Sequence, residues 1–521
     1  MFSKAQQAQS AGQRSVRPKV VALIVAVTLL GAGLRLYRLA DDNLWCDEGI
    51  SDLVSRQKTP ARVMQAVVEL DNHPPLYYLL LHGWRRIVGS SDFSLRLLSA
   101  LLGTAAIPLL FAAGRDLFDD TAGLLAALLL AISPVALHYS QEARMYAMMM
   151  PLIAALILFS VRVFRKSDAV AVAGLVIVAL VLPGTHFYGV PMVASALLVT
   201  GWSLWRRPAL RSRLRLIAII AIVTILACVP WMLAVIQKQL AFAASLPHFA
   251  RPGPGSVAAV FARFLTPVST INARGLFALL TVVGGVVLLL VVSWEVNEAD
   301  DQTHRANSSR LPSREAASWC LWFILGAVAL IAAVGFVAPF WVGTRVAAVI
   351  AVPLALLLGA AVAGAWRHGR RWQAGLLGAL LIAQSMASAW VMHARPWRPD
   401  WEGLSRHLEA HERSDDIVLL VHGHWTRPLF DRYYRGVLPS HGVDRDLHHP
   451  DLLRGIIDET RAPEGRIWLV MYHERESPLA EILGEFMHEA YKQDFRGPRL
   501  WLFEPEDLRR PPHTHSWRGG P

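Results

Sequence analysis

Residues 20–49, VVALIVAVTLLGAGLRLYRLADDNLWCDEG, decide the fold of this chain. The run 20–38 is apolar, and it is long enough to cross the hydrocarbon core of a bilayer, which needs about 17–25 helical residues. No small-residue cleavage site follows it, and more apolar runs come later in the chain. The run therefore predicts a retained first membrane helix rather than a signal peptide that is removed. The acidic pair Asp47 and Glu48 follows this helix.

The composition extends this prediction to most of the chain. Of its 521 residues, 54% are hydrophobic and 17% are charged, whereas a soluble protein has about 25% charged residues. We therefore predict a polytopic α-helical membrane protein with about eleven transmembrane helices. Besides the first run, the spanning segments lie near residues 94–113, 122–138, 145–161, 169–184, 187–205, 216–236, 276–294, 319–338, 346–366 and 373–392.

Residues 75–88, PLYYLLLHGWRRIV, decide the topology because they are apolar but short and carry Arg85 and Arg86. Their pattern suits a helix that lies in the membrane interface better than one that crosses. With that choice, the predicted cytoplasmic segments hold 19 Lys and Arg in 74 residues, and the external loops hold 11 in 113. The positive-inside rule then predicts a cytoplasmic N-terminus and an external C-terminal part, in the inner (plasma) membrane. Since the basic residues sit in loops, the net charge of +11 does not indicate a nucleic-acid partner.

Two domains are predicted: a membrane domain over residues 1–395, with a first external loop at 39–93, and a soluble domain over 396–521. The soluble part alternates helix and strand signals, which predicts a small α/β domain. Its histidines lack the spacing of a metal site such as HExxH. The predicted elements are helix 400–412, strand 416–421, helix 425–435, strand 466–472, helix 477–488 and strand 499–503.

Unusual polar residues gather at the predicted outer side of the membrane. Ionisable groups at a membrane boundary are unfavourable, so residues of this kind are candidates for a functional site. Each also has a plainer interpretation, since an acidic pair is often solvated surface and an arginine can anchor a helix by reaching toward lipid headgroups. Their shared depth favours one site. They are Asp47, Glu48, Asp71, His73, Arg96, Glu142, Arg144, Tyr146, His186, Tyr188 and Arg345.

Carboxylates beside arginines and a histidine at a membrane surface suit a substrate that carries a lipid-linked phosphate. Arginine binds phosphate oxygens through charge-assisted hydrogen bonds. An aspartate that a neighbouring cation keeps ionised can act as a general base toward a hydroxyl group. No cofactor is predicted from these residues, and a divalent metal is left open.

Several motifs resemble the GT-C fold membrane glycosyltransferases, specifically the bacterial branch of the protein O-mannosyltransferase and aminoarabinose transferase superfamily. The resemblance is dense over residues 44–151 and weak in the C-terminal domain. It implies transfer of a sugar from a polyprenyl-phosphate-linked donor to a hydroxyl acceptor on the external face, with inversion at the anomeric carbon; the acceptor is a glycan, a lipid or a protein. The motifs are LWCDEG (44–49), NHPPLYYLLLHGW (72–84), SDFSLRLLSALLG (91–103), AISPVALHYSQEARMYAM (131–148) and TRVAAVIAVPLAL (344–356).

The resemblance also implies residue roles. Asp47 looks like the general base, and Glu48 looks like its partner, ion-paired with Arg96. His73 matches a basic position near the lipid phosphate, and two arginines match ligands of that phosphate, Arg144 and Arg345. The other predicted substrate-binding residues are Arg96, Glu142, Tyr146 and His186.

Two other functions are left open by the sequence. A ligase or polymerase would use a lipid-linked oligosaccharide in place of a single sugar. A transporter or flippase would also have many spanning helices, but such proteins place their sites near the bilayer midplane, often in repeated halves. Here the charges gather at one surface, and no internal repeat is visible, so transfer is favoured over transport.

Overall fold

The chain divides into two compact units in a computed structural model that describes residues 17–71, 73–245, 251–266, 273–295, 313–337, 341–394, 398–443, 465–472, 478–485 and 487–505. The first unit comprises Met1–Leu39 and Ser55–Arg395, and the second comprises Ala40–Val54 and Pro396–Pro521. One division lies at the boundary predicted after residue 395. Residues 40–54, at the start of the predicted external loop, group with the C-terminal part.

Helices make up the first unit, and a mixed sheet with short helices makes up much of the second. The helices, numbered along the whole chain, are α1 (Pro18–Leu36), α2 (Cys46–Ser55), α3 (Pro60–Leu70), α4 (Leu76–Val88), α5 (Asp92–Leu117), α6 (Asp120–Ile132), α7 (Pro134–Ser140), α8 (Tyr146–Arg165), α9 (Ala169–Thr185), α10 (Gly189–Trp205), α11 (Leu214–Ser245), α12 (Pro254–Ala262), α13 (Ala273–Glu295), α14 (Ser313–Val337), α15 (Gly343–Arg367), α16 (Arg371–Ala394), α17 (Trp401–His411), α18 (Gly423–Tyr433) and α19 (Pro478–Gly484). The strands are β1 (Ile417–Val421), β2 (Ser440–Val443), β3 (Ile467–Tyr472), β4 (Met487–Asp494) and β5 (Pro498–Pro505).

The described residues contain seven helices that are long and apolar enough to cross a membrane, or eight if the bent pair of α6 and α7 forms one span. Three further apolar helices are shorter, namely α9, α10 and the part Gly275–Val291 of α13. Each predicted apolar run therefore lies on a helix or on the bent pair, and the chain is a multi-pass membrane protein. The predicted total of eleven crossings stays a prediction.

Burial distinguishes the central helix of the first unit from its outer helices. The most apolar window of α15 is 100% buried, whereas the corresponding window of α1 is 17% buried. The outer helices expose large apolar side chains, such as Leu29 at 66% on α1 and Leu233 at 71% on α11. Surfaces of this extent are unfavourable in water, so lipid is their natural solvent.

Helix α4 covers the segment that decided the predicted topology. It has 13 residues, fewer than the roughly 17 that a crossing needs, which confirms a short helix in place of a spanning one. Tyr77, Tyr78, Leu81 and His82 face the interior of the unit, while Ile87 on the apolar stripe is 85% exposed.

A buried arginine stabilises the bend of 59° between α6 and α7. Pro134 has no backbone N–H and ends the regular hydrogen bonding of α6, so the last carbonyls of that helix lack helical partners. The guanidinium of Arg35, at 0% exposure, donates to the carbonyls of Leu130 and Ala131 at 3.3 and 3.2 Å. In return, the amide of Gln141 donates to carbonyls at the end of α1, among them that of Arg35 at 3.1 Å. The bend thereby carries the chain into the segment 141–146.

The second unit contains a five-stranded sheet of order β2-β1-β3-β5-β4. Strand β1 pairs in parallel with β2 and β3, while β5 pairs antiparallel with β3 and β4. Both β1 and β3 are buried along their whole length, as expected for apolar strands in the middle of a sheet. This confirms the predicted α/β character of the C-terminal part.

Two strands of this sheet were not predicted, and one predicted helix was too long. Strand β2 (SHGV) is short, with three of its four residues only partly buried, and the mostly exposed β4 (MHEAYKQD) is polar. Both are edge strands, which lack a clear apolar pattern because little of their surface is buried. The helix predicted over 477–488 ends at Gly484, and the chain enters β4 instead. The histidines at 448, 449, 513 and 515 lie outside the described residues.

Candidate active site

The carboxylate of Asp71 lies at the centre of a buried polar cluster in the first unit. Asp71 follows the end of α3 and precedes two prolines that start the turn into α4. One of its oxygens, Oδ2, accepts hydrogen bonds from Arg144 Nη1 at 2.7 Å and from the hydroxyl of Tyr78. Its other oxygen, Oδ1, contacts Nδ1 of His73. The side chain of Asp71 is 6% exposed, so these three groups supply the hydrogen bonds that water would otherwise make to the carboxylate.

The neighbouring cations decide the charge of this carboxylate. Burial alone would raise the pKa of Asp71, but the charge of Arg144, together with His73 and the hydrogen bonds from both, holds that pKa well below its usual range. Arg144 is itself 2% exposed, and its Nη1 also donates to the hydroxyl of Tyr78 at 2.9 Å. The result is an ionised, buried pair that joins the segment between α3 and α4 to the turn after α7.

His186 enters the cluster from the turn between α9 and α10. Its Nδ1 accepts a hydrogen bond from the backbone N–H of Tyr188 at 2.9 Å, which places the proton of the neutral ring on Nε2. Burial, followed by the charges of His73, Arg345 and Arg144, lowers the pKa of His186 well below its usual value. His186 is therefore a neutral hydrogen-bond donor.

The donor atom of His186 has no acceptor among the residues that the structure describes. The side chain is 4% exposed, and Nε2 lacks a hydrogen-bond partner among the described residues. Its ring lies 5.0 Å from the ring of His73 and 5.3 Å from that of Tyr146, measured between centroids. A buried N–H without a partner is unfavourable by about 1–3 kcal/mol, which is typical of a position where a ligand atom accepts the bond.

A second cation reaches the cluster from the central helix. Arg345 lies in the first turn of α15, and its guanidinium carbon is 5.8 Å from the ring centroid of Tyr146, the first residue of α8. The charges of Arg345 and Arg144 both act on His186. The first unit thus brings two arginines, two histidines and one aspartate into one cluster.

Two predicted residues of the first unit have internal partners. Glu142 is 1% exposed, and its Oε1 lies 3.1 Å from Nε2 of His138, one turn earlier on α7. Arg96 is fully buried on α5, and its Nη1 donates to the carbonyl of Leu39 at 3.1 Å. The ion pair expected between Arg96 and Glu48 stays a prediction.

Asp47 and Glu48 begin a helix of the second unit, at its first turn. Glu48 is fully buried, and its Oε2 accepts from the backbone N–H of Trp45 at 3.3 Å, as a glutamate at the third helical position does when it caps a helix start. Asp47 is 8% exposed. A carboxylate at the first turn is also stabilised by the helix dipole.

Elements of the C-terminal part hold this acidic turn in place within the second unit. The backbone N–H of Leu44 donates to the hydroxyl of Tyr433 at 2.7 Å. The hydroxyl of Tyr472, at the end of β3, is hydrogen-bonded to the backbone of Cys46; burial, with Cys46 and the two nearby carboxylates, raises the pKa of Tyr472 above its ordinary value. A Cβ at Gly49 would lie 2.8 Å from Leu429 Cδ2, so glycine allows the close approach of α18.

The structure brings six predicted residues into one region of the first unit: His73, Glu142, Arg144, Tyr146, His186 and Arg345. Sequence reasoning noted Asp71 and Tyr188 but kept neither as a site residue, and it missed Tyr78 as a hydrogen-bonding group. The available signal was the position of Asp71 and Tyr78 on either side of the prolines in DNHPPLYY. Among the described residues, no group of three or more His, Cys, Asp and Glu is arranged to hold a metal ion.

Comparisons with known proteins agree with this architecture. Residues 72–233 match the family model of dolichyl-phosphate-mannose-protein mannosyltransferases. A search of curated proteins found no match.

Among solved structures, the chain is similar to the oligosaccharyltransferase AglB from Archaeoglobus fulgidus in complex with an inhibitory peptide and a dolichol-phosphate. The TM-score is 0.53 at 12% identity, over 93% of this chain and 74% of that one. The oligosaccharyltransferase of the same organism tethered to an acceptor peptide with the NVT sequon gives a TM-score of 0.52 at 12% identity, over 94% and 74%. A weaker likeness, with a TM-score of 0.41 at 14% identity over 94% and 98%, relates it to ArnT from Cupriavidus metallidurans bound to undecaprenyl phosphate.

The likeness to the archaeal enzyme, at 12% identity, shows the GT-C fold. Over residues 72–233, which carry most of the cluster, the chain is similar in particular to the dolichyl-phosphate-mannose-protein mannosyltransferases.

Proposed function

We propose that the chain transfers a sugar from a polyprenyl-phosphate-linked donor to a hydroxyl acceptor on the external face of the inner (plasma) membrane, with inversion at the anomeric carbon. The observation that carries this proposal is the cluster of Arg144, Arg345, His73 and His186, in which Arg144 and His186 are buried and the other two are partly exposed. It offers two fixed cations and an unpaired N–H within one space. A phosphate group carries negative charge and acceptor oxygens, which arginine side chains and the Nε2–H of His186 can bind.

In the proposed reaction, the acceptor oxygen attacks C1 of the sugar while Asp47 takes up the hydroxyl proton. The bond between C1 and the phosphate oxygen breaks, and both of its electrons stay with the phosphate. Arg144 and Arg345 stabilise the charge that develops there, and Nε2–H of His186 donates to a phosphate oxygen. The sugar is already activated as a phosphodiester, so positioning and electrostatics supply the catalysis.

The acceptor class is left to experiment, because the residues described define a phosphate site more closely than an acceptor site. The dolichol-phosphate and the peptides named for the archaeal structures belong to that enzyme. They support a lipid donor here by analogy of fold only.

The test is complementation of a strain that lacks the gene, read out by mass spectrometry of envelope glycolipids, polysaccharides and secreted proteins. We expect the wild-type chain to restore one missing monosaccharide on one acceptor class. Asp47→Asn should lower transfer at least about 100-fold, since a general base contributes about 10²–10⁴ in rate. The matched control is Asp415→Asn, which changes an exposed aspartate of the same unit.

The outcomes separate the rival functions. Full activity of Asp47→Asn at equal membrane levels contradicts its role as base. Loss of a whole oligosaccharide block would indicate a ligase or polymerase. Accumulation of the donor lipid at the cytoplasmic face, with transfer restored once the lipid is flipped by other means, would indicate a flippase.

A further inference from the structure

Asp71 is a feature of the cluster that a simple phosphate-binding site does not need, and it contacts Arg144 and His73 directly. Its carboxylate is ionised and 6% exposed, and it shares Arg144 and His73 with the space where the phosphate is proposed to bind. A fixed anion beside an anion site weakens binding of the ligand, because like charges in a buried space repel one another strongly. Asp71 thus offsets the buried charge of Arg144 and at the same time repels an anionic ligand.

We propose that Asp71 tunes the donor site to a phosphate with one negative charge and promotes release of the same phosphate once it carries two. This inference rests on the proposed function. The donor is a phosphodiester, whose phosphate has one negative charge. When the bond to C1 breaks and its electron pair stays on oxygen, the lipid phosphate that remains carries one further charge, while the acceptor proton moves to Asp47.

The change in ligand affinity that Asp71 causes depends on the groups around it and on its distance from the phosphate. Arg144, His73 and Tyr78 contact the carboxylate directly, while His186, neutral, and Arg345 face the same space. The repulsion from Asp71 acts in proportion to the charge of the ligand. One charge at about 10 Å in an effective dielectric of about 20 changes affinity by about tenfold per unit of ligand charge.

The experiment compares two lipid probes on the full-length protein in detergent micelles. One is a polyprenyl phosphate, which gains its second charge above a pKa of about 6; the other is its methyl phosphodiester, which carries one charge at every pH used. Dissociation constants are measured at pH 5 and pH 8 for the wild type and for Asp71→Asn. Asparagine keeps one side-chain oxygen that can accept from Arg144 and Tyr78, while it removes the charge and places an amide nitrogen beside His73 Nδ1.

At pH 8 we expect Asp71→Asn to bind the diester about tenfold more tightly and the monoester about 100-fold more tightly. At pH 5 both probes should gain by the same factor. Tyr78→Phe is the control that removes a hydrogen bond to the same carboxylate oxygen without changing charge, and it should leave the ratio of the two affinities unchanged. Repeating both measurements in a His73→Gln background removes that imidazole from the comparison.

An unchanged ratio of monoester to diester affinity at pH 8 in Asp71→Asn would overturn the inference, and so would weaker binding of both probes. Failure of the proposed function is recognised separately: neither probe would then bind the wild type at micromolar concentrations. If the probes bind and Asp71→Asn leaves their ratio unchanged, only the role of Asp71 is lost.

Discussion

Replacing Arg144 with glutamine should destabilise the first unit more than removing both charges of its ion pair. Arg144 and Asp71 are 2% and 6% exposed, with Nη1 and Oδ2 2.7 Å apart. Breaking such a pair leaves a buried carboxylate without its cation, which costs about 3–5 kcal/mol. We expect the lower end, about 3 kcal/mol, because His73 and Tyr78 still contact the carboxylate.

The double variant Asp71→Asn with Arg144→Gln should be more stable than Arg144→Gln alone, since two neutral amides can hydrogen-bond each other. The coupling energy of the cycle should exceed about 1 kcal/mol, within the range found for contacting residues. Free energies of unfolding are measured in detergent micelles by titration with sodium dodecyl sulfate, with tryptophan fluorescence as the signal. Additive single-variant effects, within about 0.5 kcal/mol, would refute the ion pair.

The pH dependence gives a second test of the same pair. The pKa of Asp71 is held below its usual value, so the wild type gains stability from it above the unfolded pKa of about 3.9 and loses it as the pH falls through the folded value. In Arg144→Gln, burial still raises the pKa of Asp71, but the arginine charge that lowers this pKa is gone. The folded variant therefore binds a proton at Asp71 more readily than the wild type does. The deficit of that variant should therefore shrink as the pH is lowered from 7 toward 4, and a constant deficit would contradict the explanation.

Two further predictions concern other buried groups. Because the pKa of His186 is lowered, the unfolded chain binds a proton at this residue below about pH 6.5, whereas the folded chain does not. At pH 5.5 the wild type should therefore lose about 1.4 kcal/mol of its free energy of unfolding, and His186→Gln should not. Thermal unfolding at pH 7.5 and pH 5.5 measures this difference. Arg35→Met should leave the carbonyls of Leu130 and Ala131 without a donor and destabilise the protein by about 1–3 kcal/mol. The exposed Arg371→Met should change stability little, so an equal loss in both arginine variants would exclude this role for Arg35.

The positions of the membrane helices could be predicted because their signal is local. An apolar run of about 20 residues has few alternatives to a helix, since lipid offers no partners for free backbone groups. The short helix α4 was also predictable from a local signal, because an apolar run of about 13 residues is too short to span the hydrocarbon core. Number and orientation of crossings depend on the membrane itself, so the sequence supports them by charge counting alone.

The pairings of the site could not be read from the sequence. Asp71 and Arg144 are separated by 73 residues, and Leu44 and Tyr433 by 389. A pattern of residue types shows that polar groups share a depth, but it does not show which carboxylate meets which arginine. The grouping of residues 40–54 with the C-terminal part escaped prediction for that reason, because it depends on contacts such as those of Gly49 with α18.

Comparison of the two aspartates of the proposed mechanism shows why the base should be sought outside the cluster. Both oxygens of Asp71 are occupied by donors, and its pKa is held well below the usual range. A carboxylate in that state has little affinity for a proton and no free oxygen to receive one, whereas an effective base has a pKa closer to the working pH. Asp71 is therefore unsuited to deprotonate an acceptor. Asp47, in the first turn of a separate helix, is the base that we propose from the resemblance. The two asparagine variants should accordingly differ in kind: Asp47→Asn should lose the chemical step while still binding a polyprenyl phosphate, and Asp71→Asn should retain the chemical step while binding that product more tightly.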